Sequence, residues 1–365
     1  MRTADVVIVG GGLIGLAVAA EVSARGASVL LIGETRFGEA SPAGAGMLAP
    51  GAESDELGSA AVRRFAVAGR DLYPAYLAAL REETGIDVPF DRNGILELVD
   101  NGEIPPHPPA SEWVDARALR ALEPALRDFS GAVLHPDDGS VDNLVLFTAM
   151  QHRVGARGGI AVVRSAARSL NVTAARPRVI LDDGDVMEGG SLVIAAGAWA
   201  GTLEGLPRPL PVRPVRGQLL MLEGAPTRHV IYGGGGYLVP RRASDTSSAL
   251  ERTVIGATME EAGFDSETTH DGLTSLTAIA HRVSTDFAGA HLLSHWAGLR
   301  PMTPDHLPIL GRDPEFPQLL YACGHGRNGI LLAPITGESI GALAVGAQTS
   351  HDLSPFAIER FAETT

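Results

Sequence analysis

A single cysteine, Cys323, is all that this 365-residue sequence contains, which excludes an intramolecular disulfide and suits a reducing cytoplasm. Basic runs are lacking as well. The 29 Lys and Arg residues stand against 43 Asp and Glu, a formal net charge of −14, so a nucleic-acid backbone would meet no attractive stripe. There is no H-E-x-x-H, no Cys/His spacing suited to a metal, no serine elbow and no His/Asp pair in a convincing place. Bound metal and serine-type catalysis are therefore not expected. No internal repeat is present, and the proline-rich connection at 103–113 is the one biased segment. Beyond the opening run no stretch could span a bilayer. What remains is 45% hydrophobic with a mean hydropathy of +0.12, a soluble globular chain long enough for two domains.

The nearly uncharged opening run poses the first choice. Residues 6–20 behind Arg2, with Ala17-Val18-Ala19 as a cleavage site, have the texture of a signal peptide. Glycine placement favours another reading. Gly10, Gly12 and Gly15 form G-x-G-x-x-G directly after the β-rich Val6–Val9 and directly before the helical pattern Leu13–Ala24, and a second apolar strand, Ser28–Ile32, follows. That is a βαβ nucleotide site: one glycine for the turn, one for approach to a pyrophosphate, one for helix–strand packing, with the helix N-terminus facing the phosphates. Counting onward puts Gly33 where the ribose-binding acid is expected, and Glu34 one step further. Glu34 takes the role if the strand end shifts slightly, and the choice between the two positions stays open.

Helix and strand patterns then alternate, which predicts an α/β protein. A helical repeat runs from Ala60 to Leu80 and stops at Gly85; two short strands around Asn93-Gly94 read as a hairpin; a short helix is capped by Asp115; and the run ending in Ala196-Gly197-Ala198-Trp199 reads as a buried parallel strand that stops near a ligand. From Pro211 the strands lengthen and turn antiparallel in character, with one helix between Asp271 and Val283, before small-residue strands return. The expected organisation is a nucleotide-binding domain at 1–84, 141–210 and 294–350, interleaved with a sheet-rich domain at 85–140 and 211–293, and a tail at 351–365.

Several motifs stand together: the opening glycines, "SPAGAGMLAP" at 41–50, "AAGAW" at 195–199, "GYLVPR" at 236–241, "IGATME" at 255–260, "WAGLRPMTPDHLPILG" at 296–311 and "GHGRNGILLAP" at 324–334. As a set they resemble the glycine oxidase branch of the D-amino-acid oxidase superfamily of FAD enzymes, over nearly the whole chain. The resemblance implies a glutathione-reductase-type FAD domain joined to a mostly antiparallel substrate domain. It places the adenosine half of FAD on the βαβ unit, with contacts from Leu13, Ile14, Ala167, Ala196, Gly197 and Trp199. It wraps Ala45, Gly46 and Met47 around the flavin ring, and brings His325, Gly326, Arg327, Asn328, Gly329, Ile330 and Leu331 to the ring's N1–C2 edge. A helix N-terminus is physically suited there, because reduced flavin is negative at that edge.

The resemblance also sets Arg300 under a substrate carboxylate, with Tyr237 beside it and Arg327, Met47 and Met259 nearby. An arginine fork suits that task, since a carboxylate accepts two parallel hydrogen bonds from it. No cysteine stands in "WAGLRPMTPD", so the FAD is expected to be non-covalent. The loop before Tyr237, "YGGGG", is less bulky than in related enzymes, which leaves the pocket mouth more open. The activity implied is oxidation of glycine, and of small amines such as sarcosine or D-alanine, by hydride transfer to flavin with no side-chain base. Dioxygen returns as hydrogen peroxide, and the imine serves thiamin thiazole synthesis. A D-amino-acid, sarcosine or proline-type oxidase or dehydrogenase is the alternative, and a flavin-binding protein with a vestigial amine site is a third. The expected setting is a cytoplasmic homo-oligomer, such as a tetramer, bound to neither nucleic acid nor membrane.

Overall fold

The apolar run Val6–Val9 folds as the end of a strand, Arg2–Val9, buried between layers. Helix Leu13–Ala24 follows, and strand Val29–Ile32 pairs parallel to the first. In this computed structural model, which describes residues 1–54, 57–100, 102–241 and 250–362, that unit is the seed of an eight-stranded sheet. Its parallel centre runs in the order Ile160–Val163, Val29–Ile32, Arg2–Val9, Val186–Ile194, Leu319–Cys323. Antiparallel strands extend it beyond Val186–Ile194: Arg178–Leu181 and Ala167–Asn171 continue from that strand's first residues, and Ile309–Arg312 pairs with Leu319–Cys323. Residues 242–249 of the expected domain at 211–293 and the last three residues of the tail lie outside the described residues.

The last helix, Gly329–Ala344, lies against the opening helix through small residues. A Cβ on Gly337 would stand 3.0 Å from the Ala17 carbonyl oxygen, and one on Gly341 would stand 2.7 Å from Glu21 Cγ. The contact is tight enough that larger side chains would push the helices apart and move the helix start that faces the nucleotide cleft.

A second eight-stranded sheet is antiparallel except where Val230–Gly233 runs parallel to Ile95–Val99. Its edge strand, Leu292–Met302, pairs along its length with Arg213–Glu223. The chain therefore stays in the second sheet to Met302 and rejoins the first at Ile309, later than the boundary read at 294. Two local readings also change. Asn93-Gly94 does not close a hairpin: Phe90–Asp91 pairs with Gly139–Val141 in a small third sheet, whereas Ile95–Val99 pairs with Gly131–His135. Gly94, at φ 93°, instead turns the chain from one sheet to the other. The repeat from Ala60 forms two helices, Ala60–Asp71 and Tyr73–Thr84, because Pro74 has no N–H to continue the first and is well placed in the first turn of the second. Gly85 ends the second helix in the left-handed conformation, as read.

Candidate active site

One cavity follows the carboxyl ends of the parallel strands, the place where open α/β sheets bind ligands. Its lining includes Gly10, Gly12, Leu13, Ile14, Gly33, Glu34, Ala167, Ala196, Gly197 and Trp199, and also Ala45, Gly46, Met47, Tyr237, Arg300 and the stretch His325–Ile330. Most residues marked from sequence are thus brought together. Three are not. Gly15 does not line the cavity: a Cβ there would meet the Gly10 carbonyl oxygen at 1.8 Å, so this glycine serves helix–strand contact alone. Leu331 turns into the core on the inner face of the last helix, 2% exposed, while Ile330 faces the cavity. Met259 is 55% exposed. The segment beside it forms a bridge in which Glu260 and Arg216 exchange backbone hydrogen bonds, so Thr258 and Glu260 face the sheet and the residue between them points to solvent.

The cavity suits a dinucleotide on its own chemistry. Neither helix that starts at it is capped by its own N-cap residue: Gly12 and Asn328 make no side-chain cap, and neither first turn carries an acid. Two positive helix ends therefore face one cleft. A Cβ on Gly33 would come 2.6 Å from the Gly11 nitrogen, so strand end and turn close on each other with no side chain between them. Ser41 Oγ accepts the Leu13 N–H at 2.9 Å and ties the "SPAGAGM" segment to the helix start. Sequence reading missed this link, because nothing marks Ser41 from other serines. Glu34 is the first carboxylate beyond the strand and is held by Arg36 Nε at 2.6 Å. Cys323 also lines the cavity, but burial pushes its thiol up to about 12, so it stays protonated and unreactive.

Elsewhere in the cavity wall, Arg300 and Tyr237 stand side by side. Burial lowers the Arg300 pKa while the neighbouring Tyr237 raises it, and burial raises that of Tyr237. Arg300 Nη1 donates to the Thr258 carbonyl at 3.0 Å. Two glycines make room for the pair. A Cβ on Gly217 would lie 1.9 Å from Arg300 Nη1, and one on Gly256 would lie 2.4 Å from the Tyr237 hydroxyl. These seats were invisible in the sequence, where both read as ordinary strand glycines. Gly217→Ala is therefore expected to displace the guanidinium and lower kcat/KM on the order of 100-fold while FAD stays bound. Steady-state kinetics with a flavin-content measurement check it.

Glu53 was also missed. It is 6% exposed and takes Arg327 Nη2 at 2.6 Å, and Arg327 reaches the Tyr232 hydroxyl at 3.3 Å. Three acids follow closely in the sequence at 53–56, and nothing in their spacing singles out Glu53. His325, 3% exposed, has its Nε2 at 3.1 Å from Thr336 Oγ1, and burial pulls its pKa down to about 3. The unfolded chain binds a proton near pH 6.5 that the folded one refuses until about pH 3, so stability falls on acidification across that window. Replacing His325 by Gln should remove a slope of up to about 1.4 kcal/mol per pH unit there, readable as flatter urea midpoints against pH.

A parallel-centred sheet with a glycine-cradled dinucleotide cleft, and a second sheet that brings an arginine and a tyrosine into the same cavity, have the make-up of a flavin-dependent oxidoreductase. The chain belongs to the FAD dependent oxidoreductase family, which it matches over residues 5–343. Its cofactor is FAD. It is 33% identical to the glycine oxidase of Geobacillus kaustophilus over 378 residues, 98% of this chain and 97% of that protein. The crystal structure of glycine oxidase from Geobacillus kaustophilus superposes with a TM-score of 0.88 at 31% identity, covering 99% of both chains. The chain is also 35% identical to the "Bifunctional protein ThiO/ThiG" of Synechocystis over 378 residues, all of this chain but 55% of that protein. It spans about half the length of the bifunctional relatives it matches.

Proposed function

We propose that the protein oxidises the amino group of glycine and similarly small amines, sarcosine and D-alanine among them, to an imine. Water hydrolyses the imine, that of glycine to glyoxylate and ammonia, and dioxygen is reduced to hydrogen peroxide. The observation that carries this reading is the pairing of Arg300 with Tyr237 inside the cavity that also holds Met47 and the Gly324–Gly329 loop. Bound FAD supplies the hydride acceptor. The protein's own part is positional: Arg300 and Tyr237 hold a carboxylate by charge-assisted hydrogen bonds, which fixes the α-carbon one bond away. The nearby carboxylate, Glu53, is engaged by Arg327, and no side-chain base is required once the amine is neutral.

Glu34 is the residue we assign to the adenosine ribose, since Gly33 packs closely against Gly11 and carries no donor or acceptor side chain. A cytoplasmic homo-oligomer and delivery of the imine to thiazole synthesis complete the reading, the latter supported by likeness to the bifunctional relatives. Peroxide release on adding glycine, compared with D-alanine, sarcosine and proline, tests it. Release with proline alone would favour the cyclic-amine alternative. No peroxide with any of the four, and no reduction of an artificial electron acceptor either, would leave a flavin-binding protein with a vestigial site.

A further inference from the structure

Two arginines, Arg300 and Arg327, line the cavity, and they differ in how they are matched. Arg327 is paired with a carboxylate, Glu53, at 2.6 Å. Arg300 donates to a neutral carbonyl at 3.0 Å, and among the described residues no carboxylate forms a salt bridge with it. Glu53 therefore cancels one positive charge and leaves the other for a substrate. What holds Glu53 in place lies outside the cavity.

Asp138 sits in the turn between Gly131–His135 and Gly139–Val141, 0% exposed. Its Oδ2 accepts the N–H groups of Gly51 and Ala52 at 2.8 and 2.9 Å, and its Oδ1 accepts Arg70 Nη1 at 3.0 Å. The two amides begin a helical turn in which the Glu53 N–H returns to the Ala49 carbonyl at 2.9 Å. A buried carboxylate is tolerated only when donors satisfy it, and here two of the three donors belong to the turn that carries Glu53. The fit leaves no slack: a Cβ on Gly51 would stand 2.8 Å from Asp138 Oδ2 and 2.9 Å from His135 Nδ1.

We propose that Asp138 is a positioning residue that holds the Gly51–Glu53 turn so that Glu53 neutralises Arg327, and so reserves the cavity for amines with a single carboxylate bound at Arg300. This rests on the amino-acid oxidase reading above. Without the hold, Glu53 drifts off Arg327, and a second unmatched guanidinium favours ligands with two carboxylates.

The test uses the FAD-loaded enzyme and reads binding of acetate against malonate from the change each makes in the flavin absorbance, with glycine turnover measured separately. Asp138→Asn should shift the acetate-to-malonate preference about tenfold toward malonate, Glu53→Gln should do at least as much, and the double variant should match Glu53→Gln, because the two residues act on one pair. Gly51→Ala, which forces the same contact apart from the other side, should shift it in the same direction. An unchanged preference in Asp138→Asn and Gly51→Ala, an equal loss of both ligands, or effects of Asp138→Asn and Glu53→Gln that multiply would overturn the proposal. A parent enzyme that shows the anion preference yet oxidises no amine would instead sink the oxidase reading and leave this one standing.

Discussion

Arg300→Ala is expected to lose about thirtyfold to several-thousandfold in kcat/KM for glycine while FAD remains bound. The range follows from the roughly 2–5 kcal/mol lost when one partner of a desolvated, charge-assisted pair is removed, at about tenfold per 1.4 kcal/mol. The setting of Arg300 supports the upper part of that range. Its guanidinium lies in a cavity wall, burial lowers its pKa, and its hydrogen bond to Thr258 orients it without neutralising it. Arg300→Lys should recover only part of the loss, since one ammonium cannot reproduce a two-pronged contact. Ethylamine, which has no carboxylate, is the control: its slow turnover should hardly respond. Equal losses for glycine and ethylamine, measured by steady-state peroxide production, would move the carboxylate site away from Arg300 and make Arg327 the next candidate.

Gly12→Val is expected to weaken FAD retention without unfolding the chain. The three opening glycines separate here by backbone geometry. Gly10 has φ 127°, and a Cβ on it would come 2.1 Å from the Ala195 carbonyl oxygen; a Cβ on Gly15 would meet the Gly10 carbonyl oxygen. Side chains at either position would damage the fold itself. Gly12 has φ −72°, which any residue adopts, and the nearest neighbour of a Cβ there is Ser41 Oγ at 3.2 Å. A valine therefore crowds the Ser41 link and the phosphate path, an overpacking cost of about 1–3 kcal/mol, which is roughly fivefold to a hundredfold in FAD affinity. Equilibrium dialysis of FAD, with circular dichroism to confirm folding, checks it. A folded Gly12→Val protein with parental affinity would remove the pyrophosphate from this helix start.

Much of the nucleotide half was legible because its signals are local. The opening βαβ unit, the buried strand that ends near Ala196 and the glycine-led start of the last helix each declare themselves within a dozen residues. The substrate half is assembled from distant pieces, and there sequence reading falls short in a regular way. Gly217 and Gly256 matter for the volume they leave to Arg300 and Tyr237, and the need for an empty volume has no signature in a strand. Glu53 and Asp138 are 85 positions apart along the chain and are linked through the Gly51–Ala52 turn. Asn93-Gly94 misled because turn chemistry fixes a local bend but not which sheet the next strand joins. Met259 misled because its motif is shared while the bridge at Glu260 decides which way its side chain points.

The most direct test of the central claim is to add glycine to the FAD-loaded protein without oxygen and watch the flavin's yellow absorbance. Oxidation of the amine predicts that the colour bleaches, and that admitting air restores it with release of hydrogen peroxide. If the colour persists with glycine, sarcosine and D-alanine alike, the arrangement around Arg300 and Tyr237 does not oxidise small amino acids.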